Sequence, residues 1–342
     1  MASIADVAKE ANVSVATVSR VLNNSGKVQT ETVSRVLAAV KKLSYEPNLL
    51  ARNFRKVETR VLLILTPNIT NPYYAHIIAG ISDVAQKEGY SVFLSNTNGE
   101  AAREQETLGM LSRRRADGAI LLASVLDSEW LQQGANKFPV VQCSEFDPDM
   151  QISHVSINNY GAACDAMRHL ISQGHRRIAT VSSENNYYST KLRLKAYYDM
   201  LAEAGLPFRE EYVYKADKGY SFKSGVVAVK NLMMMEQRPT ALFCISDTLA
   251  MGCVVGAQEL GFQVPRDLSV TGFDDVENTT MIHPYITTVA QPCYELGRQG
   301  ALMLLGLMRR QEIPLEVVFP HRMVIRESTA AIVGKHFFAD SP

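Results

Sequence analysis

The segment Asn12-Val13-Ser14-Val15-Ala16-Thr17-Val18-Ser19-Arg20-Val21-Leu22-Asn23 gathers hydroxyls and one guanidinium along a short stretch of helical pattern. Val18, Val21 and Leu22 recur at helical spacing and turn inward, which leaves Val15, Ala16, Ser19 and Arg20 outward. The hydroxyls of Ser14, Thr17 and Ser19 stand at the helix start, where they can bond phosphate oxygens beside the helix N-terminus. Arg20 can grip a guanine edge in bidentate fashion, and the small apolar Val15 and Ala16 suit a thymine methyl. That is the chemistry of reading duplex DNA from the major groove. A solvated Ser/Thr face on an ordinary three-helix bundle is the alternative for the same residues.

A second set of polar residues suits a polyhydroxylated ligand. Tyr73, Ser124, Ser144, Arg193, Tyr220, Asp247 and Asp274 fall just after apolar runs or in short loops. Aromatic rings stack on a sugar face, Arg and Asp bond hydroxyls, and Ser trims the set. Each has a plainer reading. Asp247 precedes a helix and could be only its cap. Arg193 lies between Lys191 and Lys195 and could sit on a solvated helix face.

The elements that must position these residues come in two grammars. Up to Tyr45 the pattern is helical: Ile4, Val7, Ala8 and Ala11 with Ser3 as cap, then Val15 to Leu22, then a third helix capped by Thr30 and running to about Ser44. Two short helices joined by a tight turn make a helix-turn-helix. Pro47 stops the third helix, and Leu49 to Lys56 is again helix-competent. From Val61 short apolar runs alternate with helical stretches. Strands are expected at Val61–Thr66, Ser91–Ser95, Ala119–Leu122, Val140–Cys143, Ile178–Ser182, Ala241–Ile245 and Leu268–Thr271. Helices are expected at Tyr73–Glu88, Ala101–Arg114, Tyr160–Gln173, Thr190–Ala204, Phe222–Met235 and Thr248–Leu260. Such alternation means parallel sheets covered on both faces. Their ligands bind outside the carboxyl ends of the strands. A second series starts near Arg176, so the expected fold is an all-α helix-turn-helix head plus an α/β body of two doubly wound parallel-sheet subdomains facing each other across a cleft.

The 342 residues are 46% hydrophobic and 20% charged, an ordinary globular composition. Net charge is zero, yet residues 1–58 hold nine Lys/Arg against five Asp/Glu, a head of +4 on a body of −4. A basic head on an acidic body fits a DNA binder. Cys143, Cys164, Cys244, Cys253 and Cys293 are odd in number and scattered, and read as buried reduced thiols. Neither a signal peptide nor a membrane helix is legible, so the expectation is a cytoplasmic protein associated with the nucleoid when bound to DNA. The seven histidines form no metal-spaced cluster. The nucleophile elbow, the phosphate loop and the dinucleotide fingerprint are missing as well. The pair Asp274-Asp275 lacks a second partner, so neither an enzyme nor a cofactor or metal is expected.

The head and most of the body resemble the lactose-repressor/galactose-repressor family of bacterial regulators. Ile4-Ala5-Asp6-Val7-Ala8 looks like the family's first helix, and Val13 to Asn23 is nearly its recognition-helix signature. Val28 and Thr32 sit at the start of its third helix, and Tyr45-Glu46-Pro47-Asn48 leads into its hinge. The resemblance implies base reading by Val15, Ala16 and Arg20, with Asn23 and Asn48 completing the head's DNA contacts. It implies that Phe54, where the family usually has Leu, wedges into the minor groove with Arg52 and Arg55 meeting phosphate. The plainer role for Phe54 is an aromatic packed on the body.

In the body the resemblance runs to about Thr329 through Asn71-Pro72-Tyr73-Tyr74, Gln173 to Ala179, Leu192-Arg193-Leu194, Ser246-Asp247, Gly272-Phe273-Asp274-Asp275 and Pro284 to Pro292. It adds Tyr74 and Ser246 to the effector set and implies a body of periplasmic-binding-protein type. The implied domains are residues 1–47 (head), 48–58 (hinge helix) and 59–330 (effector binding and dimerisation). The lobes of the last are 59–160 plus 290–320, and 161–289 plus 321–330. The implied function is repression of carbohydrate or nucleoside utilisation genes. The implied partners are a palindromic double-stranded operator, a second copy in a homodimer, and a sugar, sugar phosphate or nucleoside effector. Pro320 to Arg326 loosely resembles a catabolite-control branch, which leaves a phosphocarrier protein as an alternative corepressor.

Overall fold

The computed structural model describes residues 3–22, 28–43, 45 and 58–332. The chain divides into two units, Met1–Thr59 and Arg60–Pro342.

In the first unit, helices α1 (Ile4–Glu10), α2 (Val15–Leu22) and α3 (Thr30–Lys42) surround a small core. Val7, Val18 and Val36 are fully buried in it, with Ala8, Ala11 and Ala39 beside them and Val21 and Leu22 packed at its edge. Ser3 caps α1 through a capping box with Asp6. Asn12 turns the chain between α1 and α2 at φ 50°, a left-handed conformation that Asn tolerates. Thr30 does not cap α3: it is the first helical residue, and Gln29 precedes it without a side-chain bond. The expected elements at Leu49 to Lys56 lie outside the described residues, and so do the expected contacts at Asn23, Asn48, Arg52, Phe54 and Arg55.

The second unit contains two parallel sheets. Its first lobe uses β1 (Val61–Thr66), β2 (Ser91–Asn96), β3 (Gly118–Leu121), β4 (Val140–Cys143), β5 (His154–Ile157) and β11 (Glu316–Phe319), in the order β11-β5-β4-β3-β1-β2. Helices α4 (Pro72–Lys87), α5 (Ala101–Ser112), α6 (Ser128–Ala135) and α11 (Cys293–Met308) accompany it. Strand β1 explains why its run is wholly apolar. Leu62 and Ile64 enter the core on one face, and Leu63 and Leu65 enter a separate cluster on the other.

The second lobe uses β6 (Ile178–Ser183), β7 (Val213–Ala216), β8 (Ala241–Cys244) and β9 (Ser269–Thr271), ordered β7-β6-β8-β9. Helices α7 (Asn159–Ser172), α8 (Tyr188–Glu203), α9 (Phe222–Met233) and α10 (Asp247–Glu259) cover it. The chain leaves the first lobe after β5 and returns through β10 (Thr288–Ala290) into α11 and β11. It departs again through β12 (Arg322–Val324), which pairs antiparallel with β10. These connections form a strap along the junction of the lobes. The tail after β12 is tied to the second lobe by Ser328, whose hydroxyl donates to Val270 O at 2.6 Å.

The expected strands and helices lie at or within two residues of the observed ones, while β5, α6, β7, β10, α11, β11 and β12 are additional. Helix α11 is obscured by Gly297, Gly300 and Gly306, poor helix formers by propensity. Two glycines let it press on α4. A Cβ at Gly297 would sit 1.9 Å from Ile77 O, and one at Gly80 would sit 2.1 Å from Tyr294 O. All five cysteines are buried and free.

Candidate functional site

On the head, α2 turns Val15, Ala16 and Arg20 to solvent, with Val15 40% exposed, while Val18 is sealed inside. Ser14 precedes the helix, and its Oγ accepts the backbone N–H of Thr17 at 3.1 Å. The Ser14 and Thr17 hydroxyls lie 2.9 Å apart, so the two share one hydrogen bond at the helix start. The outward residues are thus grouped on one exposed face of α2. The Lys42–Glu10 ion pair at 2.7 Å ties α3 to α1 behind it.

In the body, a cavity of about 330 Å³ opens between the lobes. Pro67, Asn68, Asn71, Tyr74, Asn98, Gly99, Ser124 and Val125 wall it from the first lobe. Glu184, Asn185, Asn186, Tyr187, Lys218, Gly219 and Tyr220 wall it from the second. Most of these residues follow the carboxyl end of a strand, where open parallel sheets place ligands. Three of the sequence-expected residues line the cavity: Tyr74, Ser124 and Tyr220. Ser124 donates to Glu104 Oε2 at 2.7 Å, so its hydroxyl is already oriented.

The other expected residues form an adjoining buried network. Tyr73 Oη and Ser144 Oγ lie 2.6 Å apart, and Tyr73 also donates to Gln291 Oε1 at 3.3 Å. Gln291 Nε2 donates to Asp274 Oδ1 at 2.8 Å, and Asp274 lies 3.9 Å from Arg193 Nη1. Arg193 is buried, at 7% exposure, which overturns the solvated-face reading. Its Nε and Nη2 donate to Asn159 Oδ1 at 3.0 and 2.7 Å, its Nη1 donates to Ile245 O at 2.7 Å, and it lies over the Phe273 ring at 3.7 Å.

Ser246 is the cap of α10, accepting from Leu249 N. Asp247 is therefore not a cap. It is the first helical residue, fully buried, with Oδ1 accepting from Thr288 at 2.6 Å and Oδ2 accepting from Val276 N at 2.9 Å. Its carboxylate ties α10 to the strap and to the loop after β9.

Burial pushes the Asp274 carboxyl up to about 7, against the opposing pull of Arg193. Burial also lifts the Tyr220 phenol to about 12, helped by the charge of Glu145. Backbone strain gathers here. Ser144, Tyr220, Asp274 and Asp275 hold φ of 80°, 57°, 122° and 61°, values uncommon for non-glycine residues. Arg326 fixes the loop by donating to Asp275 Oδ1 at 2.6 Å.

Sequence reasoning missed Glu145, Asn185, Tyr187 and Gln291. Glu145 accepts from Ser189 N at 3.2 Å and from the Ser189 hydroxyl, so it spans the lobes. Glu145 directly follows Ser144 past the end of β4, and that position was its available signal.

A helix-turn-helix head and a two-lobed binding body define a ligand-responsive transcriptional regulator. The family described as bacterial regulatory proteins, lacI family, matches residues 3–48, and a periplasmic binding protein-like domain matches residues 167–329. Catabolite control protein A of Priestia megaterium is 36% identical over 96% of this chain and 99% of its own. The transcriptional repressor CytR of Escherichia coli is 35% identical over 97% of each chain. The solved structure of the lac repressor dimer bound to operator and an anti-inducer superposes with a TM-score of 0.87 at 25% identity, covering 96% of this chain and 99% of that one. The chain belongs to the lacI family of bacterial regulatory proteins.

Proposed function

We propose that this chain is a repressor whose operator affinity is set by a small molecule held between the two lobes of its body. The observation that carries this reading is the interlobe cavity at the strand ends, with Tyr220 in its wall and the strained, hydrogen-bonded Ser144 and Asp274 in the network beside it. Strain of this kind persists where surrounding structure over-determines it, commonly at ligand clamps. The effector contacts are Tyr73, Tyr74, Ser144, Arg193, Tyr220 and Asp274, to which Glu145, Tyr187 and Asn185 are added. Ser124, Ser246 and Asp247 serve by holding the loops that carry them. In the head, Ser14, Val15, Ala16, Thr17, Ser19 and Arg20 meet DNA, with Asn23, Asn48, Arg52, Phe54 and Arg55 extending the contact.

Paired heads on a palindromic operator need a two-fold dimer. The lac repressor structure is such a dimer on its operator, which supports the same assembly here. The effector acts by binding one arrangement of the lobes more tightly than the other, since equal affinity shifts nothing. A coupling of roughly 1–3 kcal/mol suffices for a 5- to 150-fold change. The regulator works in the cytoplasm, at the nucleoid. Among the described residues no helix is long and apolar enough to cross a membrane. A formed cavity favours a small molecule over a protein corepressor as the primary signal.

The test is thermal unfolding of the full chain against sugars and nucleosides, followed by operator binding with any hit. A ligand at a hundredfold excess over its Kd stabilises the folded form by about 2.7 kcal/mol. A hit that leaves operator affinity unchanged refutes effector control, and a panel with no hit refutes the ligand class.

A further inference from the structure

The effector cleft has two features that would ordinarily capture a phosphate: a helix N-terminus and a buried arginine. Both are already occupied by the protein's own acceptors. Helices α4, α9 and α10 cap themselves at the cleft, through Asn71, Ser221 and Ser246. Helix α8 does not, because its cap position is Tyr187, which offers no side-chain bond. The missing acceptor comes from the other lobe. Glu145 sets its carboxylate against the first turn of α8 and takes both the backbone N–H and the hydroxyl of Ser189. The Ser189 side is buried, at 4% exposure. A carboxylate at that position satisfies the positive end of a sixteen-residue helix.

The arginine of the network is engaged as well. Arg193 is held by Asn159, by Ile245 O and by the nearby Asp274. Near it stand the carboxyls of Asp274 and Glu145. At the rim Lys218 shares the cavity wall with Glu184. Glu145 is felt by the rings that line the cavity: its charge helps raise the phenols of Tyr74, Tyr187 and Tyr220, after the larger effect of burial.

We propose that Glu145 makes this cleft select uncharged, unphosphorylated ligands, by placing the protein's own carboxylate where a phosphate would otherwise bind α8. The inference rests on the effector-cleft reading and narrows its ligand class to neutral, donor-rich ring compounds such as free sugars and nucleosides. A phosphorylated ligand meets a helix N-terminus already bonded to a carboxylate, an arginine already engaged by three hydrogen bonds, and a like charge. A ligand hydroxyl or amine instead finds Glu145 with lone pairs to spare, since a carboxylate accepts about four hydrogen bonds.

The probe is inorganic phosphate, titrated against the full-length protein at ionic strength matched with chloride, with the melting temperature as readout. The wild type is expected to follow the chloride control. Glu145→Gln keeps an acceptor for Ser189 N–H but removes the charge, and is expected to gain a saturable stabilisation by phosphate. Ser189→Ala leaves the carboxylate in place and is expected to stay indifferent. A saturable phosphate shift in the wild type overturns the proposal without reference to any variant. A Glu145→Gln protein that melts cooperatively yet ignores phosphate overturns it as well. Failure of the effector reading shows separately, as a ligand panel without a hit.

Discussion

Gln291 donates its Nε2 to Asp274 Oδ1 at 2.8 Å, and with that bond the strap between the lobes grips the loop that follows β9. The same side chain accepts from Tyr73 at the start of α4, so one amide joins first lobe, strap and second lobe. Gln291→Glu sets a second carboxylate against Asp274 and removes the donor. The variant is expected to lower the melting temperature and to weaken the effector by at least tenfold. Calorimetric titration with a panel hit checks this, and unchanged affinity would show that the amide plays no part in the cleft.

Arg20 projects from the exposed face of α2, with Val15 and Ala16 beside it. Arg20→Ala is expected to remove roughly 1–3 kcal/mol of discrimination, ~5- to 150-fold, between operator and scrambled duplex. Binding to the scrambled duplex should change far less. Fluorescence anisotropy at one fixed salt concentration reads both, because protein–DNA affinities shift steeply with salt. Equal loss on both duplexes would mean that Arg20 meets phosphate rather than a base.

Gly297 faces Ile77 O so closely that even a methyl group cannot enter without moving one helix. Gly297→Ala is expected to destabilise the body by about 1–3 kcal/mol or more through overpacking, although alanine is the better helix former. Denaturant unfolding measures it, and a stabilised variant would mean that α4 and α11 yield without strain.

His175 is buried between Thr240 Oγ1 at 3.0 Å and Ala330 O at 3.2 Å, and burial pulls its imidazole down to about 4. In the unfolded chain it titrates near 6.5. Between those values the unfolded state binds a proton that the folded state refuses, so stability rises with pH across this window. Acidification from about 6.5 toward 4 should therefore cost up to roughly 3 kcal/mol from this residue. Unfolding of wild type and His175→Gln at pH 7.5 and pH 5 tests it. An identical acid loss in the two proteins would remove His175 as a cause.

Most of the strands that were legible are buried on both faces, although the half-exposed β2 was legible too. Leu62 to Leu65 read as one unbroken apolar run because alternate residues enter different cores. The four-residue strand His154–Ile157 begins with a histidine stacked on Phe146 at 3.9 Å, which no period-two pattern announces. In the site, positions after strand ends were legible, and their bonding was not. Asp247 reads as a cap from its neighbours and turns out to bond Thr288, 41 residues away. Glu145 finds Ser189 44 residues along, in the opposite lobe. Such pairings depend on how the two sheets come together, and local spacing holds no record of that.

The return of the chain to its first lobe also governs how that lobe can be made. Helix α4 and strands β1 to β5 precede the entire second lobe in synthesis, yet α11, which packs on α4 and on β3 to β5, and β11, which closes the sheet edge beside β5, follow it. At about 5–20 residues per second, the face that awaits α11 stays uncovered on the ribosome for roughly 10–40 s. The second-lobe sheet, contiguous in sequence, can close in the meantime. Nascent chains of this protein should thus be most dependent on chaperone shelter while their oldest strands wait for one of their youngest helices.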